Sequence, residues 1–331
     1  MKTLLRIILN WLHRLRDWKD GVAMTWNGGR GGRTLAVGAA AVVVLGLAAC
    51  GSGSSGSGSA AAGGKLSVVA ATNVWGDIAA TVGGDAVEVT SVISSTSQDP
   101  HSFTSDTRTQ LAVSKADLVI ENGGGYDDFM DQLLKTANSS APVINAVEVS
   151  GRQAPSGGEL NEHVWYDFPA VQKVADTIAA DLGQALPARA ADFTANARAF
   201  DAQVDTLIKA EATAKAAHAG EGTAITEPVP LYLLDAMGLV NRTPAAFSEA
   251  VEESTDIPVA VLDQTLKIFS GGQVKVFVYN EQTSSPETEK VLAQAKQDGV
   301  PTVGVTETLP AGKDYLAWMK ANVEAVTSAL G

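Results

Sequence analysis

Thiols, imidazoles and positive charge are all scarce in this chain. Of its 331 residues, one is cysteine and four are histidine. A lone cysteine forms no intramolecular disulfide, so stability must come from packing. Four histidines are too few to serve as surface filler. Lys and Arg number 24 against 37 Asp and Glu. Seven basic and two acidic residues fall in the first 49, which leaves 17 basic and 35 acidic, a formal net charge of −18 over residues 50–331. That balance excludes nucleic acid as a partner, because phosphates need a basic face. It equally excludes docking on anionic lipid heads. No apolar run reaches the roughly twenty residues that a membrane-spanning helix needs. His-Glu-x-x-His, Gly-x-Ser-x-Gly and a nucleophile-plus-base pair are missing too, which removes the readable signatures of hydrolases.

The N-terminal region is organised differently from the rest. Arg30 and Arg33 precede the apolar stretch from Leu35 to Ala49, which ends in Leu47-Ala48-Ala49-Cys50. A basic segment, a short apolar segment and small residues before a cut make residues 1–49 a signal peptide. Met24 is an alternative start to Met1, because the signal is complete from Met24 onward; Met1–Ala23 is itself basic and apolar. Leu-Ala-Ala-Cys resembles the lipobox of bacterial lipoproteins, which implies that Cys50 is lipidated and becomes the first mature residue. Residues 50–64 then act as a tether, Gly51–Gly64 being almost all Gly, Ser and Ala. Fourteen such residues span about 20 Å as a flexible coil.

From Leu66 onward the pattern is α/β. Leu66–Ala71, Val87–Ile93, Leu118–Glu121 and Pro142–Asn145 read as strands. They alternate with helical spacing over Val74–Val82, Thr107–Ser114 and Asp127–Thr136. Residues 65–168 are therefore expected to form an N-terminal α/β lobe. An Ala-rich, helix-favouring stretch follows over 169–221, broken only by Gly183 and Pro187, and reads as a long rigid linking helix or a helix pair. Residues 222–331 resume the alternation as a C-terminal α/β lobe. Its strands are expected at Ala224–Thr226, Val274–Tyr279 and Thr302–Val305, its helices at Val259–Phe269, Glu287–Gln297 and Tyr315–Leu330. Two α/β lobes imply a cleft between them where strand carboxyl ends converge.

Candidate ligands fall at those ends. His101 lies in a loop after Val87–Ile93, within Ser97-Gln98-Asp99-Pro100-His101-Ser102-Phe103. His163 lies in Asn161-Glu162-His163-Val164-Trp165-Tyr166-Asp167, just before the helical stretch. Glu227 directly follows Ala224-Ile225-Thr226, and Glu307 follows Thr302–Val305 and Thr306. Two imidazoles and two carboxylates suit Mn, Fe or Zn. Each has an ordinary competitor. His101 bonded to backbone, His163 paired with Glu162 or Asp167, Glu227 capping a helix begun by Pro228 and Glu307 as an exposed loop acid are all open. Glu281 rivals Glu307 for the fourth place. His218 reads as a solvated helix residue, and His13 precedes the signal cut.

These segments, with Glu121-Asn122-Gly123-Gly124-Gly125-Tyr126, Thr226-Glu227-Pro228 and Val303-Gly304-Val305-Thr306-Glu307-Thr308-Leu309-Pro310, resemble the metal-binding solute-binding lipoproteins of ABC importers. The likeness runs from about Lys65 to the C-terminus, carried by motif order and spacing. It implies His101, His163, Glu227 and Glu307 as ligands for transported Zn²⁺ or Mn²⁺, and no enzymatic activity. Glu307 stands where the family usually has Asp. No His-rich loop lies between the first two ligands, and the third is Glu, so the donor set is harder than one of three histidines. That tilts the site toward Mn, while intrinsic affinity still favours Zn. The expected partners are the importer's membrane subunits with their cytoplasmic ATPase. The expected place is the outer face of the cytoplasmic membrane, held by lipid, as a monomer. A surface adhesin with the same fold and, further off, a metallohydrolase using Glu227 or Glu281 as base are the competing readings.

Overall fold

Leu66–Thr72 offers no polar face, and a strand without one must be covered on both sides, as parallel strands are. The computed structural model describes residues 64–98, 103–156 and 158–331. The signal segment, Cys50, His101 and nearly all of the tether lie outside the described residues.

Strands β1 (Leu66–Thr72), β2 (Val87–Ile93), β3 (Leu118–Glu121) and β4 (Val143–Asn145) form one sheet in the order β2-β1-β3-β4. Strands β5 (Gly222–Ile225), β6 (Val240–Asn241), β7 (Val276–Asn280) and β8 (Thr302–Val305) form another in the order β6-β5-β7-β8. All neighbours are parallel, with Val68 opposite both Val89 and Leu118, and Asn280 opposite Val305. Within each sheet, therefore, every strand presents its carboxyl end at the same edge.

Helices α1 (Asn73–Gly83), α2 (Thr107–Ser114), α3 (Phe129–Ala137) and α4 (Ala146–Ser150) complete the first lobe. The stretch expected as a linking helix is a pair, α5 (Phe168–Ala185) and α6 (Ala190–His218). Pro187 causes the break: Leu186 before it sits at φ −133° and ψ 75°, away from the helical region. Helices α7 (Leu231–Ala236), α8 (Ala245–Glu252), α9 (Val259–Lys267), α10 (Pro286–Gln297) and α11 (Tyr315–Leu330) follow. Asp106 and Ser285 start α2 and α10 with capping boxes. β6, α4 and α7 were not anticipated, being too short to show a period, and neither was α8. Among the described residues, no helix is long and apolar enough to cross a membrane. His218 differs from expectation: it ends α6 with its side chain only 12% exposed and Nδ1 3.2 Å from Glu221 Oε2.

The strand period of two divides the core. Val68 and Ala70 face a large cluster with α1, α5, α6 and α11, whereas Val69 and Ala71 face a smaller one with Val113, Met130 and Leu133. In the second sheet Ile225, Val276 and Val278 join the same large cluster, while Ala224 and Phe277 pack with Phe247 and Phe269 on the far side. One core thus runs beneath both lobes. Hydrogen bonds reinforce it. The Tyr166 hydroxyl donates to Thr306 O at 2.8 Å and the Tyr315 hydroxyl to Trp165 O at 2.6 Å. Asn73 exchanges two 2.9 Å bonds with the Leu309 backbone, and Tyr315 N donates to Asp77.

Candidate metal centre

The first lobe's contribution begins at the end of β3. Asn122, Gly123, Gly124 and Gly125 make a tight turn, with the three glycines at φ 75°, 72° and 98°. Left-handed backbone of that kind favours glycine. At Gly123, moreover, a Cβ would run into the Asn145 side chain at 2.2 Å. Asp127 holds the turn by accepting from Asn122 N (2.7 Å) and Gly123 N (2.8 Å). Burial pushes its carboxyl up to about 7, against the pull of those two N–H donors. The turn buries Tyr126, whose ring packs edge-on against His163, centroids 5.8 Å apart.

His163 is fully buried. Asn161 Oδ1 accepts from both His163 N (3.1 Å) and Nδ1 (2.8 Å), while Asn161 Nδ2 donates to Pro228 O at 3.1 Å. A carbonyl at the Nδ2 end fixes which way the amide points, so Oδ1 meets Nδ1 and can only accept there. In the neutral ring the proton is therefore on Nδ1, which leaves Nε2 to carry the lone pair that ligates a metal. Asn122 Nδ2 donates to Glu162 O at 2.9 Å, tying this loop back to β3. His101 is outside the described residues. The tract around it is flanked by Gln98, whose Oε1 accepts from Ser94 N, and by Phe103, which packs on Phe129 at 4.9 Å.

The second lobe supplies carboxylates. Glu227 follows β5 and is 3% exposed; its Oε2 has no hydrogen-bond partner in the structure. It does not cap a helix begun by Pro228, since α7 starts only at Leu231. Burial, then the charges of Glu252 and Glu307, push its carboxyl up to about 8, against hydrogen bonds from Asn280 and Thr283. Glu307 follows β8 and is 5% exposed. Asn280 Nδ2, at the end of β7, donates to its Oε1 at 2.6 Å. Gln282 Oε1 accepts from the backbone N–H groups of Glu307 and Thr308, at 2.8 and 2.9 Å, and so shapes the turn. Tyr126 is hydrogen-bonded to Glu307, and burial plus that carboxylate hold its hydroxyl protonated far above its usual range. Glu281, by contrast, is exposed, beside Gly304 and hydrogen-bonded to Tyr279.

Tyr126 links His163, in the loop before α5, to Glu307 past β8, and the charge of Glu307 reaches Glu227 past β5. Glu252 joins them unanticipated, from the C-terminus of α8, with Oε1 3.6 Å from His163 Nε2. In sequence it sits in the acidic run Glu249–Glu253, indistinguishable from a solvated face. Asn161, Tyr126 and Asn280 were also missed as positioning residues, although the first two stand in motifs already singled out. A cavity of about 540 Å³ opens from the site between the lobes. It is lined by Glu159, Glu162, Asp235, Glu249 and Glu252, with Arg152 its basic residue among those described.

Residues 68–329 match the family model described as ZnuA, zinc-uptake complex component A, periplasmic. The manganese-binding lipoprotein MntA of Halalkalibacterium halodurans is 26% identical over 138 residues, 42% of this chain and 46% of that protein. MntA of Bacillus subtilis is 28% identical over 149 residues, 44% of this chain and 48% of that protein. The chain spans about half the length of these curated relatives. A crystal structure of ZnuA superposes with a TM-score of 0.69 at 19% identity, over 81% of this chain and all of that one, a likeness of fold.

Proposed function

Because this chain belongs to the ZnuA family, metal-binding components of ABC importers and not enzymes, we propose that it captures a single Zn²⁺ or Mn²⁺ ion outside the cell and delivers it to an importer. The ligands in this reading are His101, His163, Glu227 and Glu307, two from each lobe. One observation carries it: His163, its Nδ1 bound to Asn161, stands 3.6 Å from Glu252, whose charge together with that of Glu307 acts on the buried Glu227 carboxyl. Carboxylates gathered out of water need a cation or a proton, and Glu227 is held to about 8 for that reason. The name of MntA, manganese-binding lipoprotein, supports Mn²⁺ beside the Zn²⁺ of the family description.

Capture needs no open coordination position, whereas a catalytic metal keeps one for water. The shared core and the bonds of Tyr166 to Thr306 and Asn73 to Leu309 favour a small closure over wide opening. Cys50, lipidated, would hold the domain at the outer face of the cytoplasmic membrane, where the importer's membrane subunits read the loaded form. The acidic cavity draws cations toward the site.

Metal titration of the stripped protein tests this. One tight equivalent of Zn²⁺ or Mn²⁺ is expected, weakened by roughly two orders of magnitude in His101→Ala, His163→Ala and Glu307→Ala. Glu281→Ala should bind like the parent. Wild-type protein that takes up neither ion tightly would overturn the reading. Affinity should rise from pH 5 to pH 8, because the imidazoles must be neutral and Glu227 must lose its proton to ligate.

A further inference from the structure

Glu252 reaches the centre from a place that strand-end logic does not reach. It is the last residue of α8, its side chain 16% exposed, and it lines the interlobe cavity. Its Oε1 lies 3.6 Å from His163 Nε2, the ring nitrogen opposite the one that meets Asn161. Two donors bound to one ion at about 2.1 Å each, at a tetrahedral angle, lie about 3.5 Å apart. The atoms are therefore spaced as two ligands of one metal. Ligand-capable atoms of Glu162, His163 and Glu252 all fall within 4.8 Å of one another. Glu227, just after β5, carries a buried oxygen without a hydrogen-bond partner. The charge of Glu252 acts on Glu227 more strongly than that of Glu307 does.

We propose that Glu252 is a direct ligand of the captured ion, a fifth protein donor that shifts the centre's preference from zinc toward manganese. This rests on reading the site as a metal-capture centre. Four donors close the tetrahedron that zinc adopts in sites without bound substrate. Glu252 makes the set three carboxylates and two imidazoles, and an oxygen-rich shell of higher coordination number suits Mn²⁺. Its approach from the cavity side makes it the donor an entering ion meets early and the one nearest solvent on release.

The test uses the purified full chain in detergent, stripped and titrated separately with Mn²⁺ and Zn²⁺. Glu252→Gln is expected to weaken Mn²⁺ binding by roughly tenfold or more, and Zn²⁺ binding by less than about threefold. Glu253→Gln, an exposed neighbour, should change neither. X-ray absorption at the Mn edge of the wild-type complex should count at least five nitrogen or oxygen neighbours, with one fewer in Glu252→Gln. Fewer than five in wild type overturns the proposal without reference to how the variant folds. Tight wild-type binding with an unchanged Mn-to-Zn ratio in Glu252→Gln overturns it too, and leaves the capture reading standing. Wild type that binds neither ion brings down both.

Discussion

The two lobes share one strand order, β2-β1-β3-β4 and β6-β5-β7-β8, yet bring different chemistry to the space between them. The first presents His163, an imidazole whose tautomer and direction are set by Asn161 and whose loop is tied down by Asn122. Its neighbours are aromatic: Tyr126 and Trp165 pack against the ring. The second presents Glu227, Glu252 and Glu307, and the charges of the last two raise the proton affinity of the first. Geometry comes mainly from the first side and, Glu162 apart, charge from the second. The lesson is that similar α/β frames leave the chemistry of a cleft to their loops, because the strand ends fix position without fixing residue type.

That contrast is sharpest at Glu227. Glu227→Gln should weaken Zn²⁺ and Mn²⁺ by roughly two orders of magnitude, read by competition titration. The same change should stabilise the metal-free protein above pH 8, read as a higher thermal midpoint. A carboxyl held at about 8 in the fold and 4.5 in the open chain favours folding below pH 4.5 and loses that contribution as pH rises through 8. Removing an imidazole or a positioning residue in the first lobe should give no such gain.

Asn161→Ala tests the geometric side. Without the Oδ1 acceptor the His163 tautomer is free, and affinity for both ions should fall by about tenfold to a hundredfold with Glu227 untouched. An unchanged affinity would mean that packing by Tyr126 and Trp165 alone orients the ring. A smaller effect is expected at Glu211, buried in α6 with its carboxyl also raised to about 8, by burial and then by Asp167. Metal-free wild type should lose thermal stability from pH 5 to pH 8, and Glu211→Gln should flatten that slope without altering metal affinity. Smallest is the interlobe clamp: Tyr166→Phe removes the bond to Thr306 O and should cost about 1 kcal/mol in denaturant unfolding.

Much of the frame was legible because it is local. Leu118–Glu121, Thr107–Ser114 and Tyr315–Leu330 match their expected limits, since apolar run length and period come from neighbours in the chain. β6 at Val240–Asn241 and α7 at Leu231–Ala236 were not, for two and six residues carry no period. Glu227 and Glu307 were legible as acids at strand ends, and His163 as a histidine in a polar loop. Burial separated Glu307 from Glu281. Both are acids just past a strand, but Glu307 turns inward under Gln282 while Glu281 lies outward beside Tyr279.

The sequence alone determined the alternation of strands and helices, the harder donor types available and the excess of negative charge. Each is a property of composition or of spacing along the chain. Only the tertiary structure decided that Glu252 stands 3.6 Å from His163, 89 positions earlier in the chain, and that Asn161 joins the imidazole to the Glu227 loop. Contacts of that kind depend on how α8 and the 151–163 loop pack against separate sheets. No local period encodes that packing, and it is there that an acid of the Glu249–Glu253 run comes to stand beside His163.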